Sequence, residues 1–314
     1  MPSKRDAENF KIIYRNLNDT AKKEIISNYQ LALKSIKAEL LPYYEKANKA
    51  GIKLTLNEMN KFNRLQKLFS DVNDNVNFLT GKNKSAVGSQ GRELYGQMYN
   101  RVLYRLEQES KIGILFTKVN PAIVKQSIFS QLDKIAMLKN NQALKAKVKT
   151  VLTQNLIQGK SFFQMAADLK DTLGGDVNKW TTIARTEGSR VQNEAIIEGY
   201  DTAQENGLKF NREIVSVKDN RTRPQSARMD GQIADKDGFF TYPGGIKTRI
   251  PGTTGNPAFD INDREVVITV LKDQSPEFVR IKGEGIVPNE SFESWGERKG
   301  LTKNIYGQKY SFDK

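Results

Sequence analysis

The stretch DVNKWTTIARTEGSRVQNEAIIEGYDTAQENGLKFNREIVSV, residues 176–217, contains the change of character that decides the fold. Up to Asn206, Trp180, Ile183, Val191, Ala195 and Tyr200 mark the apolar side of a helix predicted from about Asp176 to Asn206. Beyond Gly207 the pattern turns to strands. Arg212–Val217 is one candidate, and EVVITVL, Glu265–Leu271, is a second, nearly all β-branched or apolar. Between the two lie Pro224, Gly231, Gly238, Pro243-Gly244-Gly245, Pro251-Gly252, Gly255 and Pro257, which predict a small, loop-rich β domain.

Upstream, the chain reads as helices. Ile13, Leu17, Ala21, Ile25, Tyr29, Leu33, Ile36, Leu40 and Tyr44 form one apolar stripe, with Pro42 expected to kink or end the helix and Gly51 to close it. Thr55 and Glu58 have capping-box spacing and open a second helix that carries Met59 to Leu79 and stops at Gly81. The polar, glycine-spaced Gly81–Gly91 segment predicts a loop, and Tyr95, Tyr99, Val102 and Leu106 mark a third helix. Asn120-Pro121 starts a helical region that ends at Gly159. Ser161 and Gln164 then cap a helix expected to end at Gly174-Gly175. The fold class is therefore α+β: a helical N-terminal two-thirds, a small loop-rich β domain and an extended C-terminal tail. The expected divisions are 1–118 (helical), 119–206 (basic helical), 207–272 (β) and 273–314 (tail).

Composition narrows the chemistry. The 314 residues include 50 Lys and Arg against 36 Asp and Glu, a net charge of +14, and neither His nor Cys. Nucleophile systems built on His are excluded, and so are disulfides and the usual ligands of zinc, haem and iron–sulfur clusters. No stretch of about eighteen apolar residues occurs and the N-terminus lacks an apolar leader core, so the expectation is a cytoplasmic protein without a membrane partner. The positive charge points to a polyanion. It is densest where Lys125, Lys134, Lys139, Lys145, Lys147, Lys149 and Lys160 are offset by Asp133 alone, so these seven lysines are the candidate DNA contacts. Arg is scarce there, which favours phosphate contact without base readout.

Two further constellations are polar. Thr186, Arg190 and Asn193 are spaced four and three, share a helix face with Arg185 and Glu187 close by, and are suited to docking the β domain or serving a site. Asp219-Asn220-Arg221-Thr222-Arg223-Pro224, followed by Asp230-Gly231, has the chemistry of successive tight turns. Asp219, Arg221 and Arg223 are expected to form an ion-pair knot that staples a loop. No phosphate-binding glycine loop, paired metal carboxylates or histidine base accompanies them, so no catalytic residue, cofactor or metal is assigned.

The ordered series ARTE…N…A…GY, DNRTRP…S…MDGQ and FFTYPGG…IPG…NPAFDINDRE, from about Trp180 to Leu271, resembles the C-terminal region of the phage head morphogenesis family, the Mu F-like minor head proteins. Arg185, Thr186, Glu187, Asn193, Asp219, Arg221, Thr222, Arg223, Asp230 and Gly231 carry that motif and are read as structural. Two positions depart from it. Many members have His where this chain has Ser226, and Cys-Arg-Cys where it has Asp263-Arg264-Glu265. These oxygen groups do not reproduce a soft-ligand zinc site, which leaves a hard-cation site on Asp219, Asp263 and Glu265 as the alternative.

The resemblance implies a minor structural protein of a tailed-phage head. Such a protein is assembled in the host cytoplasm, enters the procapsid in few copies through the portal, and lies inside the head against packaged DNA. The implied partners are the portal, the capsid or scaffold, and double-stranded DNA bound without sequence preference, with a role in genome delivery. The rival readings are a DNA-binding protein outside any particle and a phage-encoded transferase or nuclease.

Overall fold

The computed structural model describes residues 2–110, 121–132, 135–217, 219, 222–270, 278–281, 285–288, 302–303 and 310–311. Its helices are α1 (Pro2–Lys49), α2 (Leu56–Asn60), α3 (Arg64–Ser110), α4 (Pro121–Leu132), α5 (Ile135–Ile157) and α6 (Phe162–Glu205). Strand β1 (Asn211–Val215) follows, then α7 (Pro224–Met229), β2 (Phe240–Thr241), β3 (Lys247–Thr248), α8 (Pro257–Asp260) and β4 (Val266–Val270). The helical N-terminal two-thirds and the small sheet region after it are as expected.

The chain divides into two units. One comprises residues 20–88 and 130–184, the other residues 1–19, 89–129 and 185–314. The all-helical unit is built on the predicted stripe: Ala21, Ile25, Tyr29, Ile36, Leu40 and Tyr44 are all buried, as are Leu68, Val72, Val76, Leu79, Leu144, Val148 and Leu152. An N-cap and a full capping box hold two helix starts. The Thr55 hydroxyl accepts the Glu58 N–H, and Ser161 and Gln164 exchange side-chain and main-chain hydrogen bonds. Phe62, with φ 57°, breaks the chain direction between α2 and α3.

Helix α1 closes at Gly51 as expected but is not ended by Pro42, and two other helix ends fall elsewhere than predicted. Helix α1 continues through Pro42, because Leu40 and Tyr44 on either side are buried and packing holds the helix across the missing N–H. Helix α3 runs through Gly81–Gly91, the segment expected to be a loop. Its buried positions there keep the helical period, but they are filled by Asn83, Ala86, Val87 and Gln90 rather than by large apolar residues. Helix α6 runs through Gly174-Gly175. Two helical glycines cost about 2 kcal/mol, whereas burying Leu169, Leu173 and Trp180 contributes roughly 1.5–3 kcal/mol each. Tyr29 adds a hydrogen bond of 2.5 Å to the buried Asp176 beside the pair.

In the mixed unit, β1 and β4 pair antiparallel, Asn211 opposite Val270 and Val215 opposite Val266. Ile214, Val266, Val267 and Ile268 lie in a core with Tyr95, Met98, Val102, Leu106, Ala195, Ile196 and Tyr200. β2 and β3 form a second antiparallel pair. In the segment expected to be an extended tail, β5 (Phe278–Ile281) pairs with β6 (Gly285–Pro288), and β7 (Thr302–Lys303) with β8 (Tyr310–Ser311).

Candidate functional site

The polar face of α6 is tied to the strands by side-chain amides and hydroxyls. Asn193 is fully buried; its Nδ2 donates to the carbonyls of Glu265 at 2.8 Å and Pro251 at 3.4 Å, and its Oδ1 accepts the Val267 N–H at 3.4 Å. One side chain thus pairs main-chain groups that burial would otherwise leave unsatisfied. Thr186 accepts the Asn262 N–H at 3.1 Å, and Tyr200 donates to the Val267 carbonyl. Arg190 faces elsewhere. Its guanidinium donates to Glu187 at 2.9 Å, Glu194 at 2.6 Å and the Ser127 carbonyl at 2.9 Å. At Gly188 the packing is close: a Cβ there would lie 2.8 Å from Gln90 Nε2 and 3.0 Å from the Tyr14 ring, so both side chains would have to shift.

The loop after β1 is stapled, though not by the expected partners. Asp219 accepts both arms of the Arg264 guanidinium, at 2.7 and 2.9 Å, and its N–H donates to the Thr222 hydroxyl at 3.1 Å. Arg223 is not the counter-ion predicted for Asp219. Its guanidinium donates to the carbonyls of Ala258, Phe259 and Ile261 at 2.6, 2.9 and 3.1 Å, the open C-terminal end of α8. Arg221, the third member of the predicted knot, lies outside the described residues. Asp230 accepts the Ser216 N–H at 2.9 Å, and Gly231, at φ +81°, donates to the Ile214 carbonyl at 2.8 Å.

Beneath these loops lies a buried acid pair. Asp263 and Glu265 are 1% and 3% exposed. Asp263 Oδ1 accepts the Glu265 N–H at 3.2 Å, and the Tyr242 hydroxyl donates to Glu265. Burial pushes both carboxyls up, and the Glu265 charge pushes Asp263 further, well above the usual carboxylate range. Ser226 is buried and lines the same cavity as the pair. With Asp219 engaged by Arg264, no three acidic residues group to hold a metal ion among the described residues.

The acid pair belongs to the wall of a cavity of about 480 Å³ inside the mixed unit. Helix α1 contributes Lys11, Arg15 and Asn18, and α6 contributes Arg185, Ser189 and Gln192, each set spaced four and three along one helix face. Arg15 and Arg185 are exposed at the opening, whereas Asn18, Gln192 and Asp263 are buried inside. The Tyr14 hydroxyl donates to the Arg185 carbonyl at 2.9 Å. Arg185 was singled out from the sequence for its motif, but the α1 residues were not. On α1 they read only as the polar faces beside an apolar stripe, and their meeting with α6 across 170 residues leaves no local signal.

The seven candidate lysines are spread differently. Lys125 is exposed on α4, in the mixed unit. Lys145, Lys147 and Lys149 lie on α5, in the helical unit. Steps of two residues turn a helix by about 200°, so Lys145 and Lys149 share one side and exposed Lys147 points the other way. Lys149 also sits 5.4 Å from the centre of the Phe69 ring, and Lys160 pairs with Asp168 at 2.8 Å. Lys139 lies on α5, with its side chain outside what the structure describes, as is the whole of Lys134.

Residues 146–264 match the family described as phage Mu protein F like protein. The chain is also similar to minor head protein GP7 of Bacillus phage SPP1, 23% identical over 288 residues, covering 90% of this chain and 92% of that protein. It is 24% identical over 258 residues to NAD(+)–arginine ADP-ribosyltransferase EFV of Enterococcus faecalis, covering 81% of this chain but 52% of that protein, about half its length. No solved structure matches the chain. The matched region takes in α6, the stapled loop and Asp263 of the acid pair, and ends one residue before Glu265. Residues 146–264 are thus similar to the phage Mu protein F like family, the same kind of protein that the motif series resembles.

Proposed function

We propose that this protein is a minor structural component of a tailed-phage head. It enters the procapsid in few copies with the portal, lies inside the head, contacts packaged DNA without sequence preference and contributes to genome delivery. The observation that carries this reading is the likeness to the SPP1 minor head protein along nearly the whole of both chains. The net charge of +14 and the lysines of α5 support the DNA contact, since each neutralised phosphate releases counterions. The hydrogen bonds that use Thr186, Glu187, Asn193, Asp219 and Thr222 support a structural role for the motif. The test is co-assembly. Produced together with the portal, scaffold and coat proteins of its own phage, the chain is expected to sediment with closed particles, and to do so only when the portal is present. Sedimentation as free protein in every combination would contradict the reading.

The enterococcal relative favours a second reading, a transferase that modifies arginine with the ADP-ribosyl group of NAD⁺. Against it, Glu187 is engaged by Arg190 and Asp219 by Arg264, which leaves these two motif acids in ion pairs. Incubation with labelled NAD⁺ and an arginine-rich acceptor is expected to give no transfer. Label that disappears in Glu187→Gln would establish the transferase reading instead.

A further inference from the structure

We propose that one end of the all-helical unit rests on an anionic lipid surface, with Ile52, Phe62, Ile157 and Phe163 entering the interfacial layer and nearby cations facing the lipid phosphates. The end of α1, the α2 turn, the end of α5 and the start of α6 lie here, and contacts tie them together. The Tyr44 hydroxyl donates to the Lys160 carbonyl at 3.0 Å, a Cβ on Gly159 would lie 3.8 Å from the Lys53 side chain, and α2 packs on α5. The core beneath is closed, with Leu54, Met59, Leu156 and Met165 buried. Yet Phe62 and Phe163 are 86% and 83% exposed, Ile157 63% and Ile52 45%. The two rings are held in place. The Ser161–Gln164 box sets the first turn of α6, so Phe162 packs on Tyr44, ring centres 5.6 Å apart, while Phe163, about 100° further round, faces out. Phe62 and Asn63 both stand at φ 57°, a conformation that side-chain-bearing residues rarely adopt, and the Phe62 ring projects with the Arg64 guanidinium 5.1 Å from its centre.

The charge at this end has one dominant sign. Lys46, Lys49 and Lys53 are exposed. Of the acids in residues 44–64 and 157–168, Glu58 is paired with Lys61 and Asp168 with Lys160, which leaves Glu45. The mixture selects the partner. A free phosphate would match the cations and leave four apolar side chains in water. A nucleic-acid strand stacks on rings but gives Ile52 and Ile157 no partner. A peptide helix lies in a groove, whose apolar walls are partly covered, whereas side chains more than four-fifths exposed are knobs. The interface of an anionic bilayer accepts aliphatic and aromatic knobs without a matching pocket, and its phosphates lie beside the cations that flank them. No helix among the described residues is long and apolar enough to cross a membrane, so the contact is peripheral. The expectation of a chain without a membrane partner came from the lack of a spanning stretch, which bears on crossing a bilayer and not on resting against one.

The test is flotation of the purified full chain, apart from any particle, with vesicles of phosphatidylcholine alone or mixed with phosphatidylglycerol. The chain is expected to float with the mixed vesicles only. Phe62→Ser with Phe163→Ser, both at exposed positions, should weaken the partition at least about tenfold with an unchanged circular dichroism spectrum. Lys49→Gln with Lys53→Gln should weaken it about tenfold or more. The fluorescence of Phe62→Trp should shift to the blue on mixed vesicles and be quenched by bromine-labelled lipid chains, whereas Ile233→Trp, a half-exposed position of the mixed unit, should show neither. No flotation at low salt, flotation indifferent to the two phenylalanines, or an unquenched Phe62→Trp variant would each overturn the proposal. Phenylalanine changes that spare vesicle binding but abolish oligonucleotide binding would overturn it in favour of a nucleic-acid platform, and changes that spare it but bar the chain from particles in favour of a protein partner. Lys145→Gln with Lys149→Gln should leave the quenching of Phe62→Trp in place, so this contact and the α5 contact with DNA fail or stand separately.

Discussion

Helix α5 and the polar cavity are both cationic, but they are cationic in different ways. The lysines of α5 are dense in sequence and diverge in space: Lys147 opposes Lys145 and Lys149, and nearby Lys160 is paired with Asp168. The cavity residues are sparse in sequence and converge, with Lys11 and Arg15 from one helix meeting Arg185 from another. Charge density along a chain therefore measures how much long-range attraction a segment exerts, whereas a site depends on which charges the fold brings to one place. Diffuse lysines suit contact with a phosphate backbone of any sequence, whereas converged cations concentrate positive charge at one place.

The sharpest way to break this comparison is to remove the residue that holds the convergent region together. Asn193→Leu leaves the Glu265 and Pro251 carbonyls and the Val267 N–H without their buried partner, so a loss of about 2–4 kcal/mol is expected in chemical denaturation. A neutral result would mean that the strands are held on α6 by packing alone.

The next effect is one of pH. Because the folded carboxyls of Asp263 and Glu265 are raised above their unfolded values, the folded state binds more protons from about pH 4 upward. Stability must then fall as pH rises through that window, until the folded groups have ionised. Asp263→Asn keeps an oxygen for the Glu265 N–H and carries no charge. Its melting temperature is expected to fall less than that of the wild type between pH 4 and pH 8. Parallel curves would show that the pair ionises at no cost.

Smaller effects belong to the diverging region. In salt titrations of double-stranded DNA binding, Lys145→Gln with Lys149→Gln should reduce the log–log slope by about 1.8 if both touch phosphate, and Lys147→Gln by about 0.9 or less. Equal effects would mean that the DNA engages α5 on both sides. An unchanged slope in both variants would remove α5 from the interface. The smallest effect is expected at the loop staple. Asp219→Asn breaks a half-exposed pair with Arg264, worth about 1 kcal/mol or less, and should leave DNA affinity unchanged.

How far these regions were legible follows from the same physics. Helices with large apolar stripes, such as Ile25 to Tyr44, and the strand pair Asn211–Val215 with Val266–Val270 show themselves by periodicity, and capped starts such as Ser161 by spacing. The glycine-rich spans 81–91 and 174–175 misled. Their helical period is carried by Asn83, Ala86 and Gln90 in one case and supported by flanking Leu173 and Trp180 in the other, while glycine is a local signal that packing overrides. In the site, Asn193 was visible as part of a shared face. The partner of Asp219 was not, because Arg264 is 45 residues away and nearer arginines offered themselves. Asp263 was visible through its motif, whereas Asn18 and Gln192 have no local pattern. What they share is a place in the wall of one cavity, a property of the folded chain.

The central claim, that the chain is a component of the phage head, is tested most directly by quantitative mass spectrometry of gradient-purified procapsids and mature virions of its phage. The account predicts a few copies in both. Absence from both, with the protein abundant in the infected cell, would contradict it.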